Sequence, residues 1–214
     1  MKIINAGYEF ITPINGSDIL KKIEQAGRVC YKSEDLITED SAIKFAQNII
    51  NRGHEAVLEH YSFTVKFIVD RGVSHEIVRH RVASYCQEST RYCNYSKDKF
   101  GKEITVIKPC FWNETEDENQ QYIKYTIWER GVLDSESAYF ELLDIGATPQ
   151  EARAVLPNSL KTEVVMTANI REWRHFFKLR TSSAAHPQIR EVAIPLLKEC
   201  QEKIPVLFDD IEVK

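Results

Sequence analysis

The 214-residue chain contains no apolar run approaching the about 20 residues that a membrane-spanning helix needs, so no membrane partner is expected. Its opening, MKIINAGYEF, lacks the basic region, long apolar core and small-residue cleavage site of a secretion signal, and the expected location is the cytoplasm. No CxxC pair is present. The five cysteines (Cys30, Cys86, Cys93, Cys110 and Cys200) are odd in number and scattered, which points to reduced thiols rather than a disulfide framework. The six histidines make no i,i+4 pair that would set two ligands on one helix face, so no metal is expected. A net positive charge is also missing: the formal charge is −4, which argues against general nucleic-acid binding. No Pro/Gly/Ser-rich linker, internal repeat or low-complexity stretch divides the chain, and residues 1–214 read as a single domain long enough to bury a core.

Against that acidic background stands one positive stretch, DRGVSHEIVRHRVASYCQESTRY, from Asp70 to Tyr92. Between Glu76 and Arg91, Arg79, His80, Arg81 and Arg91 face only Glu76 and Glu88, so anions should prefer this segment. Asp70 is a candidate N-cap, and Val73, Ile77 and Val78 recur at helical spacing, which predicts a short helix from Gly72 to about Arg81. At roughly 100° per residue, Arg79 and Arg81 on that helix point about 200° apart, which favours two ligands or two ends of a large one. Arginine forks with Ser84, Ser89 and Thr90 nearby suit phosphate. A solvated cationic face neutralised by acids elsewhere would read the same way.

Periodicity outlines the rest. Strands are predicted over Lys2 to Phe10, Tyr61 to Val69, Glu103 to Ile107 and Lys161 to Ala168. Helices are predicted from Ser17 or Asp18 to Val29 and from Ala42 to Ile50, the latter stopped at Arg52-Gly53, with Ile43, Ala46, Ile49 and Ile50 on one side. A long amphipathic helix should run from Glu114 to about Leu143, starting in the acid run Glu114 to Glu118. Thr148-Pro149 caps a short helix that stops before Pro157, and a last helix follows His186-Pro187 to about Lys203. The fold class is α+β, with helices around a small, mainly antiparallel sheet. Within Ile170 to Arg180, Trp173, Phe176 and Phe177 share one face, and Arg180 lands about 20° from Trp173. A guanidinium on that apolar stripe needs a partner or must snorkel from the helix end. Arg171, Arg174, His175 and Lys178 are read as the opposite, polar side.

The segment RHRVASYCQES fits Arg-His-Arg, seven residues, Ser, and resembles the signature of flavin-dependent thymidylate synthases. GHEAVLEH, ARAVLPNS, NIREWRHFFKLR and AAHPQIREVA are similar to further stretches of that family, so the resemblance covers most of the chain. It implies methylation of deoxyuridine monophosphate (dUMP) to dTMP, with the carbon from methylenetetrahydrofolate and the hydride from reduced FAD, regenerated by NADPH. It places dUMP on Glu76, Arg79, Gln87, Glu88, Ser89, Thr90, Arg91, Arg153 and Arg180. It places FAD on Ala56, Arg79, His80, Arg81, Gln87, Asn169, Arg171, His175 and His186. Arg180 is its catalytic residue, beside the uracil ring, and Arg153 its contact to the dUMP of a neighbouring subunit in a homotetramer. The chain departs from many relatives at Ala56, where they carry Ser or Thr, at Glu76 for Gln, at Gln87 for Glu and at His175 for Asn. Ser89 is read as a binding residue, because a serine nucleophile needs an oriented base that the spacing does not supply. Cys86 and Cys93 read as packing residues. Two other classes share the same residues: a colourless nucleotide-binding module, and an RNA-binding domain stacking bases on Tyr85, Tyr92 and Tyr95.

Overall fold

The computed structural model describes residues 1–112 and 120–214 and is an α+β fold. Its elements run β1 (Lys2–Ile4), β2 (Gly7–Phe10), α1 (Gly16–Val29), α2 (Ser41–Arg52), β3 (Ser62–Asp70), α3 (Arg71–Ile77), β4 (Ala83–Gln87), β5 (Thr105–Ile107), α4 (Gln120–Asp144), α5 (Pro149–Ala152), β6 (Lys161–Asn169), α6 (Ile170–Arg180), α7 (Pro187–Lys203) and α8 (Pro205–Phe208). A four-stranded antiparallel sheet has the order β2-β3-β6-β4. β3 and β6 alternate buried and half-exposed positions along their length, which is why both were legible as strands. The single strand expected over Lys2 to Phe10 is instead two, broken at Asn5-Ala6, both weak strand formers. Its first half, β1, leaves for a second sheet and pairs parallel with β5, with Ile3 opposite Val106. β4 occupies what the sequence reads as loop.

The chain forms two compact units, and each draws on three separated stretches. The first comprises Met1–Gly7, Ile68–His75 and Gln87–Val164. Its core gathers Tyr95, Ile104, Val106, Val132, Tyr139, Ala152 and Leu160. Tyr125, Val132 and Tyr139 of α4 are buried at helical spacing, and Gly131 does not interrupt the helix. The expected helix start at Glu114 and the acid run to Glu118 lie outside the described residues. The Met1 ammonium sits 3.1 Å from both Glu103 and Glu136. At the start of α3, Asp70 accepts from the Val73 amide at 2.6 Å, as a capping aspartate should. Thr148 opens α5, its amide and hydroxyl both donating to Glu151 at 2.7 and 2.6 Å, and one tight turn over Arg153–Val155 ends the segment before Pro157.

The second unit comprises Tyr8–Phe67, Glu76–Cys86 and Val165–Lys214. The cap of α1 is Asn15, whose side chain accepts from the Ser17 amide at 3.1 Å, two residues before the expected Ser17 or Asp18. Gly53 closes α2 in the left-handed conformation at φ 66°. The buried face of α2 is Ala42, Ala46 and Ile49, whereas Ile43 is 62% exposed, so the apolar side is rotated from the expected one. The core is aromatic. Trp173 lies flat on Phe63 with centroids 4.7 Å apart, and its indole N–H donates to the Phe63 carbonyl at 3.2 Å. Phe67, Phe176, Phe177 and Phe208 complete the cluster.

Candidate active site

In the second unit the Arg-His-Arg triplet is not helical. α3 stops at Ile77, and the amides of Arg79 and His80 reach back only three residues, to the carbonyls of Glu76 and Ile77 at 3.3 and 3.2 Å. The predicted helix to Arg81 is therefore too long by about a turn, and the 200° divergence of two arginines on one helix does not apply. The chain turns instead towards β4, and Tyr85 secures the turn by donating to the carbonyls of His80 and Ile77 at 2.6 and 3.0 Å. Burial, ahead of the Glu172 charge, pushes the Tyr85 phenol up to about 12. Arg79 and Arg81 stay exposed, while His80 is 3% exposed.

A hydrogen-bonded line passes through that buried imidazole. Arg180 Nε donates to His80 Nε2 at 3.1 Å, so Nε2 carries the lone pair. Nδ1 then carries the proton and donates to Glu172 at 3.0 Å. Arg180 uses its other nitrogens on Glu76, Nη1 to the carboxylate at 2.8 Å and Nη2 to the backbone carbonyl at 2.9 Å. The guanidinium predicted on the apolar stripe of α6 is thus partnered on three nitrogens, and its side chain keeps 18% exposure. Glu76 and Arg180, both assigned to dUMP by the resemblance, are an ion pair.

Burial first, then the Arg180 and His175 charges, pushes His80 down to about 4, so its contact with Glu172 at neutral pH is a hydrogen bond from a neutral ring. Glu172 moves up through burial, opposed by His175. An unfolded histidine titrates near 6.5, so between about 6.5 and about 4 the unfolded chain takes a proton that folded His80 refuses. Stability should fall as pH falls through that window and gain nothing from His80 above it. Raised Glu172 works the other way, because its folded form takes a proton first. Urea unfolding at pH 7 and pH 5 of the wild type and His80→Gln isolates the histidine: the variant should lose less on acidification. Equal losses in both proteins would discount the buried imidazole.

Around this line, α6 presents the predicted flavin residues. Asn169 is the N-cap of α6 and accepts from the Glu172 amide at 2.9 Å. Arg171 is exposed and pairs with Glu59 at 2.6 Å and Glu55 at 3.5 Å. His175 is exposed, its ring 5.6 Å from that of His80. Glu55, Glu59, Asn169, Arg171, His175 and Lys178 line a cleft of about 470 Å³. Ala56, exposed in the turn Glu55–His60, lines a second hollow of about 480 Å³ that shares Glu55 and Arg171. His186 lines neither, and its ring caps α7 by accepting from the Gln188 amide at 3.4 Å. Arg174, read from sequence as part of the polar side, is 3% exposed. Asp210 meets it with both carboxylate oxygens at 2.7 and 2.6 Å and the Leu207 carbonyl accepts a further bond, because the C-terminal segment covers this side of α6. Arg174 in turn holds the Asp210 carboxyl below its ordinary value.

Ligand atoms of His80, Glu172 and His175 lie within 4.8 Å of one another. A cation there would have to take the His80 Nδ1 proton, and the other tautomer would turn an N–H towards the Arg180 Nε–H. Glu172 was missed in the sequence, although its position eight residues before Arg180 puts it only about 80° round the same helix, beside the apolar stripe.

The first unit holds the remaining candidates. Gln87 Nε2 donates to Ser74 Oγ at 3.0 Å and to Thr162 Oγ1 at 3.3 Å. Glu88 is held by Lys161 at 2.9 Å, and Lys161 also meets Glu163 at 2.7 Å. Ser89 closes a turn: its Oγ accepts from the Arg91 amide at 3.3 Å, and no base is hydrogen-bonded to it among the described residues. Buried Thr90 accepts from Arg153 Nη1 at 3.3 Å, which brings together two residues 63 positions apart. Arg91 is exposed, over the Tyr92 ring. Burial, then Glu88, pushes the Cys93 thiol up, unlike a nucleophile poised as thiolate.

These features define an α+β protein that carries arginines prepositioned by acids and hydroxyls. Residues 14–206 match the family model described as "Thymidylate synthase complementing protein". Curated relatives named "Flavin-dependent thymidylate synthase" include one from Geobacter sulfurreducens, 34% identical over 192 residues and covering 86% of this chain and 78% of the relative. Others are from Corynebacterium glutamicum, 32% identical over 227 residues (98% and 85%), and Pyrococcus furiosus, 34% identical over 178 residues (83% and 70%). The chain belongs to the flavin-dependent thymidylate synthase family. No helix among the described residues is long and apolar enough to cross a membrane.

Proposed function

We propose that the chain methylates dUMP to dTMP with methylenetetrahydrofolate as carbon donor, in the cytoplasm and as a homotetramer whose sites are completed by neighbouring subunits. The observation that carries the reading is Arg180, a guanidinium held by Glu76 and His80 on three nitrogens. Uracil C5 is a poor nucleophile, and activating the ring builds negative charge on its N3 and O4 side. A guanidinium already held in place stabilises that charge without reorganising. Arg79, Arg91 and Arg153, with Ser89 and Thr90, are assigned to grip the nucleotide, and Glu76, Gln87 and Glu88 to orient it. Ser89 is assigned to bind rather than attack: among the described residues its hydroxyl accepts from the Arg91 amide and meets no base.

The donor set of the second unit fits a flavin nucleotide: Arg171 and Lys178 offer charge for phosphates, and Asn169 and His175 offer hydrogen bonds in the same cleft. Arg171 is already neutralised by Glu59 and Glu55, which a phosphate would have to replace. Ala56, Arg79, His80, Arg81, Gln87 and His186 complete the flavin assignment, with Ala56 limited to backbone contact. These residues would hold FAD, which when bound and reduced by NADPH would supply the hydride. The purified protein, loaded with FAD and desalted, should retain absorption bands near roughly 370 and 450 nm that NADPH bleaches and dUMP perturbs. Failure to retain flavin in the presence of both FAD and dUMP would refute the redox reading and leave a colourless nucleotide-binding module.

A further inference from the structure

We propose that Glu172 is a positioning residue: by accepting the Nδ1 proton of His80 it leaves Nε2 bare for Arg180 Nε–H, and so sets the plane of the Arg180 guanidinium. Which ring nitrogen of a histidine carries the proton is decided by the bond that the other makes. His80 is buried, and among the described residues its two ring nitrogens meet Glu172 and Arg180, which therefore decide it. With the proton on Nε2 instead, two N–H donors would face each other, and Arg180 would lose one of its three anchors. The remaining two both come from Glu76, which fixes where the guanidinium sits better than how it is turned.

The rest of the surroundings keeps this line in register. Glu172 and Arg180 lie on the same helix, eight residues and about 12 Å of rise apart, and α6 itself sets the span that the imidazole bridges. Asn169 pins the Glu172 backbone at the first turn. Tyr85 pins the His80 carbonyl at 2.6 Å, and Phe176 packs on the imidazole with ring centres 5.0 Å apart. The backbone bond and the ring contact thus hold His80 on both sides of its Cβ, between its two partners.

The catalytic consequence rests on the assignment of Arg180 to uracil; the tautomer does not, and the two can be tested separately. In full-length protein with ¹⁵N-labelled histidine, the His80 resonances, assigned by loss in His80→Gln, should show a pyrrole-type Nδ1 and a pyridine-type Nε2 at neutral pH. Glu172→Ala should shift the proton towards Nε2, and Glu172→Gln, which retains an acceptor oxygen, should restore Nδ1–H. In turnover, Glu172→Ala should lower kcat by about tenfold, as loss of an orienting partner does at other sites, with KM for dUMP and flavin retention within about twofold. Glu172→Gln should recover most of the rate. Should alanine disturb folding, Glu172→Leu removes the acceptor while filling its space. A wild-type proton on Nε2, or a tautomer unmoved by Glu172→Ala and Glu172→Leu, overturns the proposal. A moved tautomer with unchanged kcat removes its catalytic role. Wild-type protein that binds no flavin fails the functional assignment alone, since the tautomer is read without ligands.

Discussion

Arg180→Lys is expected to lower kcat for dTMP formation by roughly 10²- to 10³-fold, the loss typical when one preorganised electrostatic donor is removed from a reacting centre. Lysine keeps the charge but not the fork. The guanidinium uses Nε on His80, Nη1 on the Glu76 carboxylate and Nη2 on the Glu76 carbonyl. One ammonium on a flexible stem cannot serve three acceptors in a plane, so the charge would be present and misplaced. The acid of Glu76 keeps a cationic partner, and the melting temperature should stay close to that of the wild type. Steady-state rates, flavin content and thermal unfolding of the purified variant check the expectation together. A variant that retains flavin and turns over at near the wild-type rate would show that Arg180 is an anchor for Glu76 and nothing more.

Trp173→Ala should cost about 3–5 kcal/mol of folding stability, the range for removing a large aromatic from a core. The indole is fully buried, stacked on Phe63 at 4.7 Å, tilted against Phe67 and set edge-on to Phe176. It also satisfies the Phe63 carbonyl. Because β3 carries Phe63 and α6 carries Trp173, the stack is what fastens this helix to its sheet. Denaturant titration of Trp173→Ala and Trp173→Phe should give a large and a smaller loss. A cost below about 1 kcal/mol for alanine would mean that the core collapses to fill the space.

What could be read in advance followed from period and chemistry. β3, β6 and α6 announce themselves because a strong side-chain pattern matches one geometry along their whole length. Arg180 was legible for the same reason: seven residues after Trp173, it had to share the buried face. Local rules reached less far where contacts from distant residues decide. Arg174 reads as solvated on a helical wheel, yet Asp210 and the Leu207 carbonyl cover it, and no period links positions 36 residues apart. Where α3 ends at Ile77, Tyr85 and Arg180 bond to the carbonyls of Glu76, Ile77 and His80, long-range contacts that the apolar spacing of Val73, Ile77 and Val78 cannot show. Pairing between Thr90 and Arg153 likewise joins residues that only the folded chain brings close. Spacing alone grouped Ile43 with Ala46, Ile49 and Ile50, whereas the face that α2 buries is Ala42, Ala46 and Ile49, a rotation that periodicity within one helix cannot fix.

The threading of the second unit has a consequence for how the protein is made. That unit needs Tyr8–Phe67, Glu76–Cys86 and Val165–Lys214, so the Phe63 ring waits on the ribosome for Trp173, 110 residues on, and Arg174 then waits a further 36 residues for Asp210. Most of its aromatic core is translated well over a hundred residues after the strand it packs on, and at about 5–20 residues per second the nascent sheet face stays uncovered for seconds. Long-range closure of this kind slows folding and leaves early apolar surface open to self-association. Yield in cells should therefore depend on chaperone capacity during synthesis more than on the final stability of the finished chain.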